Sequence, residues 1–416
     1  MQSRFGKEEH GLMSGYPLFS VIVLCYRHFE YLRDAIDSVL IQKYPAIELI
    51  VSDDGSDAFP KEEIERFIED RKGENVIQYL VRTGEQNLGT VKHLNQARTF
   101  AHGEYIVFLA GDDRLFDENV LSAYADAFSR APKNCWIEMA QTGMFDEKLR
   151  KMQKCYMTAE VQRALEKTET DSSDLMRLLI TKGACLPSTS TCFRVGFFER
   201  FGGFDESYRL VEDFPMHIRL AKEGWIIHCE SFIAIRHRHG GISHGHKNAL
   251  SKSQIMYLND TKRMVQELQL GNIELLPKKQ RKRAIREKKA ELLWIDIQLE
   301  IAQKGYGSAK SLILRHPGLF AKLLWHKCLL RIKKVHKRLL VWCYTGWVLN
   351  PMIASLGPKI GVAETVARSA LRGTVQTMTV LWCIIFVMLL IDEGFYFSED
   401  LSDRARVMDS SDWERD

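Results

Sequence analysis

The stretch Tyr105-Ile-Val-Phe-Leu-Ala-Gly-Asp-Asp113 decides the fold class of this 416-residue chain. A short apolar run with β-branched residues, bounded by a glycine, reads as a buried strand. This one ends on two adjacent carboxylates. The same arrangement stands earlier in the chain, where Ile47 to Ser52 runs into Asp53-Asp54-Gly55-Ser56. Carboxylates just past the carboxyl ends of parallel strands lie where open α/β sheets bind ligands. There they can seat a hard cation together with a nucleotide phosphate. A further acidic pair, Glu212-Asp213, opens a helical pattern later on.

Working outward from these runs, strands and helices alternate. Phe19 to Leu24, Ile47 to Ser52, Val76 to Val81 and Tyr105 to Ala110 read as strands. Tyr31 to Ile41, Lys61 to Asp70 and Thr90 to Ala101 read as helices between them. Strands separated by helices at this spacing imply βαβ units and a mainly parallel sheet flanked by helices. Beyond about residue 130 the pattern loosens. Leu186 to Phe193 reads as a strand entered from a turn, Glu212 to Lys222 as a helix, and Trp225 to Cys229 and Phe232 to Ile235 as two strand segments. A basic, histidine-rich loop follows over residues 236–246, and from about residue 250 the chain turns to helical patterns rich in Lys and Arg.

A net charge of +4 gives no global field of the kind that draws nucleic acid, so nucleic acid is not expected as a partner. The nine cysteines include no C-x-x-C pair, which argues against a zinc framework or a disulfide scaffold and for a reducing compartment. Thr374 to Ile391 carries no charged residue and is near the lower limit of length for a membrane span. Arg368 and Arg372 precede it, and Asp392 and Glu393 follow it, so the positive-inside rule places the preceding chain on the cytoplasmic face. The basic amphipathic stretch Lys322 to Val348 suits an anionic membrane surface. The expected division is a polar leader over residues 1–16, a catalytic domain over 17–250, a basic helical region over 251–373, the candidate span over 374–391 and an acidic tail over 392–416.

Seven segments in a fixed order then carry a resemblance: Phe19-Ser-Val-Ile-Val-Leu-Cys-Tyr26, Gln42-Lys-Tyr-Pro45, Glu48-Leu-Ile-Val-Ser-Asp-Asp-Gly-Ser56, Asn87-Leu-Gly89 with Asn95, Gly103 to Asp113, Phe201-Gly-Gly-Phe-Asp-Glu206 and Glu212-Asp213. Over about residues 17 to 245 the chain resembles the family 2 glycosyltransferases of GT-A fold. Two departures stand out. Leu24-Cys-Tyr-Arg27 replaces the Pro-Thr-Tyr-Asn common after the first strand, and Ala110 replaces the first Asp of the common Asp-x-Asp-Asp.

The resemblance implies an inverting transfer of a sugar from a nucleoside-diphosphate donor, a UDP-sugar by expectation, to a glycan; the apolar stretch 374–391 and the basic helices add the expectation of a lipid-linked glycan at a membrane. On it, Tyr26, Asp53 and Asp54 face the nucleotide, with Asp54 accepting from the nucleobase imide, and Asp112 faces the ribose. Asp113 is the expected ligand of Mn²⁺ or Mg²⁺, which takes one or two carboxylates plus phosphate oxygens. In relatives a histidine or basic residue of the 236–246 loop meets the metal or diphosphate, and His239, ahead of Gly-Gly-Ile-Ser243, matches best; Arg236 or Arg238 is a second candidate for phosphate. Asp213 takes the role of catalytic base, with Glu212 on the acceptor side. Lys92, one short turn after Asn87-Leu-Gly89, is within reach of a phosphate, and Ser188-Thr189-Ser190 of the acceptor. Two other classes compete: a sugar nucleotidyltransferase, disfavoured because Phe19 to Arg33 holds no glycine for a phosphate loop, and a non-catalytic nucleotide-sugar-binding module, disfavoured by an intact Asp213.

Overall fold

A computed structural model describes residues 15–27, 29–238 and 251–320. Four strands open the chain: β1 (Phe19–Cys25), β2 (Ile47–Asp53), β3 (Val76–Thr83) and β4 (Tyr105–Ala110). β1, β2 and β4 are buried along their whole length, as strands covered on both faces must be. Alternation divides their side chains between two cores. Val21, Val23, Leu49 and Val51 pack with helix α1 (Leu32–Leu40) and helix α2 (Lys61–Arg71). Ile22, Leu24, Ile50 and Phe108 face the other way, onto Val91 and Leu94 of helix α3 (Thr90–Ala97).

Register aligns the site. β1 pairs in parallel with β2 from Phe19↔Ile47 to Cys25↔Asp53, and with β4 from Phe19↔Tyr105 to Leu24↔Ala110. The three strands therefore end within one residue of one another, with Cys25 beside Asp53 and Leu24 beside Ala110. Everything that follows them in sequence, Tyr26, Asp54 and Asp112-Asp113, emerges at one edge.

The remaining strands are β5 (Arg114–Leu115), β6 (Ile137–Phe145), β7 (Met152–Cys155), β8 (Thr191–Arg194) and β9 (His228–Arg238). Together the described strands form one sheet in the order β3-β2-β1-β4-β8-β6-β9-β5, with β7 beside β6. The sheet is mixed rather than mainly parallel. β4 with β8, β8 with β6, β6 with β7 and β5 with β9 are antiparallel, while β9 returns parallel to β6. The expectation of a parallel sheet holds only where a helix separates consecutive strands. The two strand segments read at 225–229 and 232–235 are one strand, because β6 offers a partner along its length and two register shifts absorb the polar middle.

Helices α4 (Val120–Arg130), α5 (Ala159–Leu165), α6 (Ser173–Lys182), α7 (Gly196–Phe201) and α8 (Asp213–Glu223) lie among these strands. After α9 (Lys252–Arg263) the chain still belongs to the first compact unit. Met264, Leu276 and Ala284 are buried in the same core as α6 and α8, so this unit runs to Lys288, past the boundary expected at 250. The described part of a second unit holds the end of α10 (Lys278–Lys304) and α11 (Tyr306–Arg315). There Leu293, Ile297 and Ala309 are buried against Ile301, Leu312 and Ile313. Among the described residues no helix is long and apolar enough to cross a membrane. The candidate span at 374–391, the basic stretch 322–348 and the acidic tail lie outside the described residues.

Gly55 is the tightest point of the sheet edge. Its φ is +77°, and a Cβ there would stand 2.4 Å from the backbone carbonyl carbon of Gln86. Both the left-handed conformation and the collision with backbone exclude a side chain. Gly55→Ala is expected to destabilise the protein by about 2–4 kcal/mol, read as a lower midpoint in urea unfolding with an unchanged slope.

Candidate active site

Strand-end carboxylates divide into those that build the edge and those that serve it. Asp53 is wholly buried, and its oxygens accept from the Ser56 backbone N–H (2.7 Å), the Ser56 hydroxyl (2.5 Å) and the Thr83 hydroxyl (2.6 Å). It holds the turn after β2 closed, with three of its roughly four acceptor positions taken inside the protein. Asp54 ties in the next loop. Its two oxygens accept the backbone N–H groups of Leu88 and Gly89, each at 2.9 Å. Burial pushes its carboxyl up to about 7, against the pull of those two N–H donors. Each oxygen of an ionised carboxylate has a second lone pair, so Asp54 keeps acceptor capacity beyond the loop.

Tyr26 follows β1 directly and is half-buried. Its hydroxyl is raised by burial, then by Asp57, Asp54 and Asp53 against the opposing charge of Arg27. Arg27 stacks on the Tyr26 ring at 5.1 Å, adopts φ +59°, and donates its backbone N–H to the Ser56 hydroxyl at 2.8 Å. The loops after β1 and β2 are thus knitted together.

Asp113 is the most constrained carboxylate at the edge. It is 1% exposed. One oxygen accepts the Arg238 backbone N–H at 3.0 Å, and the other lies 2.9 Å from Nδ1 of His237. The end of β9 therefore closes over the turn after β4. Arg238 completes the closure. Its Nε donates to the Asp112 carbonyl (3.0 Å), its Nη1 to the Glu147 carbonyl, and its guanidinium stacks 3.7 Å over the Tyr31 ring. With 5% exposure and its donors turned to protein acceptors, Arg238 is structural, which corrects its candidacy for phosphate. Arg236 likewise donates to the Phe116 carbonyl and lies over the Phe116 and Phe145 rings. Asp112 is raised by burial and by the charge of Asp113, with His237 and Arg238 opposing. His239 lies outside the described residues; the histidine set against Asp113 is His237. The signal for it was the strand itself: carrying the alternation of Ile233 and Ile235 two residues further places His237 on the same face.

Glu212 and Asp213 stand at the start of α8, at 5% and 6% exposure. Burial raises both carboxyls well above the ordinary carboxylate range, and Asp213 raises Glu212 further through its charge. Asp213 accepts the Phe214 backbone N–H at 2.7 Å. Glu212 accepts from the Ser188 hydroxyl at 3.4 Å, so it is a buried neighbour of the base candidate rather than an open acceptor-side group. Ser190 and Thr189, next to Ser188, bond to the Thr142 hydroxyl at 2.7 and 3.1 Å. Thr142 pairs with Ile235 across the β6–β9 ladder, two residues before His237. This chain of contacts puts Asp213 at the same sheet edge as Asp113. Lys92 is exposed and lines a groove with Leu88, Asn95, Arg98 and Glu206, beside the loop that Asp54 holds.

The sequence profile of glycosyl transferase family 2 matches residues 20–194. Residues 20–194 therefore carry a glycosyl transferase family 2 domain. Its mixed sheet with flanking helices fits a GT-A type fold. An uncharacterized glycosyltransferase of Rickettsia typhi is 28% identical over 207 residues, 50% of this chain and 59% of that protein. TuaG of Bacillus subtilis, provisionally named a teichuronic acid biosynthesis glycosyltransferase, is 34% identical over 98 residues, 24% of this chain and 37% of its own length. Among solved structures, a mannosyltransferase from Pyrobaculum calidifontis in complex with GDP-Man and Mn²⁺ aligns at a TM-score of 0.45 and 15% identity, over 76% of this chain and 81% of that one. The chain spans less than two thirds of the two sequence relatives named here.

The buried clamp has a measurable cost when cut. Arg238→Met is expected to leave the Asp112 and Glu147 carbonyls unpaired and to destabilise the protein by about 3 kcal/mol. Chemical denaturation would read this as a fall in the unfolding midpoint.

Proposed function

We propose that this family 2 glycosyltransferase inverts the anomeric centre of a sugar as it moves it from a nucleoside-diphosphate donor, a UDP-sugar, to a glycan hydroxyl. The observation that carries this reading is the buried Glu212–Asp213 pair at the same sheet edge as Asp113 and His237. Inverting transfer needs one base for the acceptor hydroxyl and one charge-stabilising group for the leaving diphosphate. Asp213 supplies the first. A helix N-terminus lowers a carboxyl's pKa. Here burial outweighs it, which leaves Asp213 more basic than an open aspartate and able to take the proton as the acceptor oxygen attacks.

The donor side rests on the groups after β1, β2 and β4. Tyr26 and the free lone pairs of Asp54 offer a stacking face and an acceptor for a nucleobase. Asp112, partly open, suits the ribose hydroxyls. Asp113 and His237 fit a divalent ion such as Mn²⁺ or Mg²⁺: a buried carboxylate oxygen and an imidazole nitrogen already converge at 2.9 Å, an oxygen–nitrogen pair that Mn²⁺ accepts. Such an ion, when bound, offsets charge that builds on the leaving diphosphate. The chain's own part is to hold that pair in place through the Arg238 backbone and to keep Asp213 dry. The provisional naming of TuaG for a cell-envelope polymer supports a polysaccharide or lipid-linked acceptor. Together with the apolar stretch 374–391, this favours work at the cytoplasmic face of a membrane.

Asp213→Asn is expected to lower turnover by at least a hundredfold while UDP binding, followed by calorimetry, stays within about twofold. Unchanged turnover would remove Asp213 from the base role. A pH series gives an independent check. The base acts deprotonated and its pKa is raised, so kcat/KM is expected to fall on the acid side well above pH 4, the ordinary carboxylate range. An acid limb at or below about pH 4 would contradict a buried carboxylate base.

A further inference from the structure

We propose that Glu138, His228 and Glu230 form a second divalent-cation site, of zinc type, at the end of the sheet opposite the catalytic edge. His228 and Glu230 are two residues apart on β9, so strand alternation turns both to one face. Glu138 on β6 is the direct register partner of His228. The ligand atoms of all three lie within 4.8 Å of one another. Nδ1 of His228 is 2.8 and 3.0 Å from the two Glu138 oxygens and 3.9 Å from Oε1 of Glu230.

The simpler reading is a histidine ion-paired to a glutamate. Two features go beyond it. Glu138 is wholly buried, so its carboxylate must be met by a cation or by hydrogen bonds. A second carboxylate, Glu230, then converges on the same imidazole, so three ligand atoms from two paired strands face one point. Zinc takes imidazole nitrogen and carboxylate oxygen ligands, and three protein ligands leave the fourth position to water. The His228 side chain is 37% exposed, which leaves that position open to solvent. Arg130 Nη2 holds Oε1 of Glu230 at 2.7 Å from outside, as an outer partner that orients a ligating carboxylate does. Binding displaces the protons shared by Glu138 and His228. Nine positions of β9 separate His228 from His237, roughly 30 Å at the rise of a strand. An ion here therefore pins the starts of β6 and β9 and does not touch the donor.

The test uses the full chain, stripped with chelator and titrated with zinc chloride against a chromophoric competitor. Wild type is expected to bind one more zinc than His228→Ala, and zinc is expected to raise the thermal midpoint of wild type alone. Glu230→Gln, a change at a partly open side chain, is expected to weaken that site at least tenfold while Mn²⁺-supported UDP binding is unchanged. Circular dichroism of each variant without zinc shows whether it is folded. Equal zinc stoichiometry and affinity in wild type, His228→Ala and Glu230→Gln would overturn the proposal, and would leave the glycosyltransferase reading intact.

Discussion

Asp113 is the point on which the site depends. A carboxylate removed from water is stable only when its charge is met by hydrogen bonds or an opposite charge. Here the partners come from the last two residues of β9, the His237 ring and the Arg238 backbone. The Arg238 side chain then spends its donors on carbonyls of the loops it crosses. The result is a buried acid whose position is fixed by two strands that are not neighbours in the sheet. That rigidity suits electrostatic catalysis, in which the dipoles and charges must be in place before the reaction begins.

Around that clamp, each acidic residue at the edge has its own environment. Asp53 is bonded by Ser56 and Thr83 and serves the turn. Asp54 secures the Leu88–Gly89 loop with part of its capacity to spare. Glu212 and Asp213 are raised by exclusion from water. Similar side chains thus take different protonation behaviour from burial and donor count alone.

Much of this was legible in the sequence wherever strand, helix and turn followed one another. The four opening strands were bounded to within two residues; β2, β3 and β4 are closed by Asp, Thr and Gly, and β1 by the turn from its apolar run to Tyr26-Arg27. Level strand ends follow from the βαβ pattern, and with them the clustering of Asp54 and Asp113. The antiparallel half was not legible. Strands β6 and β8 are paired through distant segments, and nothing in a local window states which way a strand runs in the sheet. The distinction between Asp53 and Asp54 was also out of reach, since adjacent residues point to opposite sides and only the position of Thr83 decides which is consumed. His237 was hidden by reading β9 as ending at Ile235, where its apolar alternation gives way to charge.

The clamp between Asp113 and Arg238 joins positions 125 residues apart in the chain. The family match ends at residue 194, well before that contact and before Asp213. Long-range closures of this kind come late in folding, since the ordering of the intervening chain must be met first. A ribosome-bound chain that has exposed only the matched region still lacks the latch on Asp113. That closure is gained in one step, once synthesis has passed residue 238, and does not grow strand by strand.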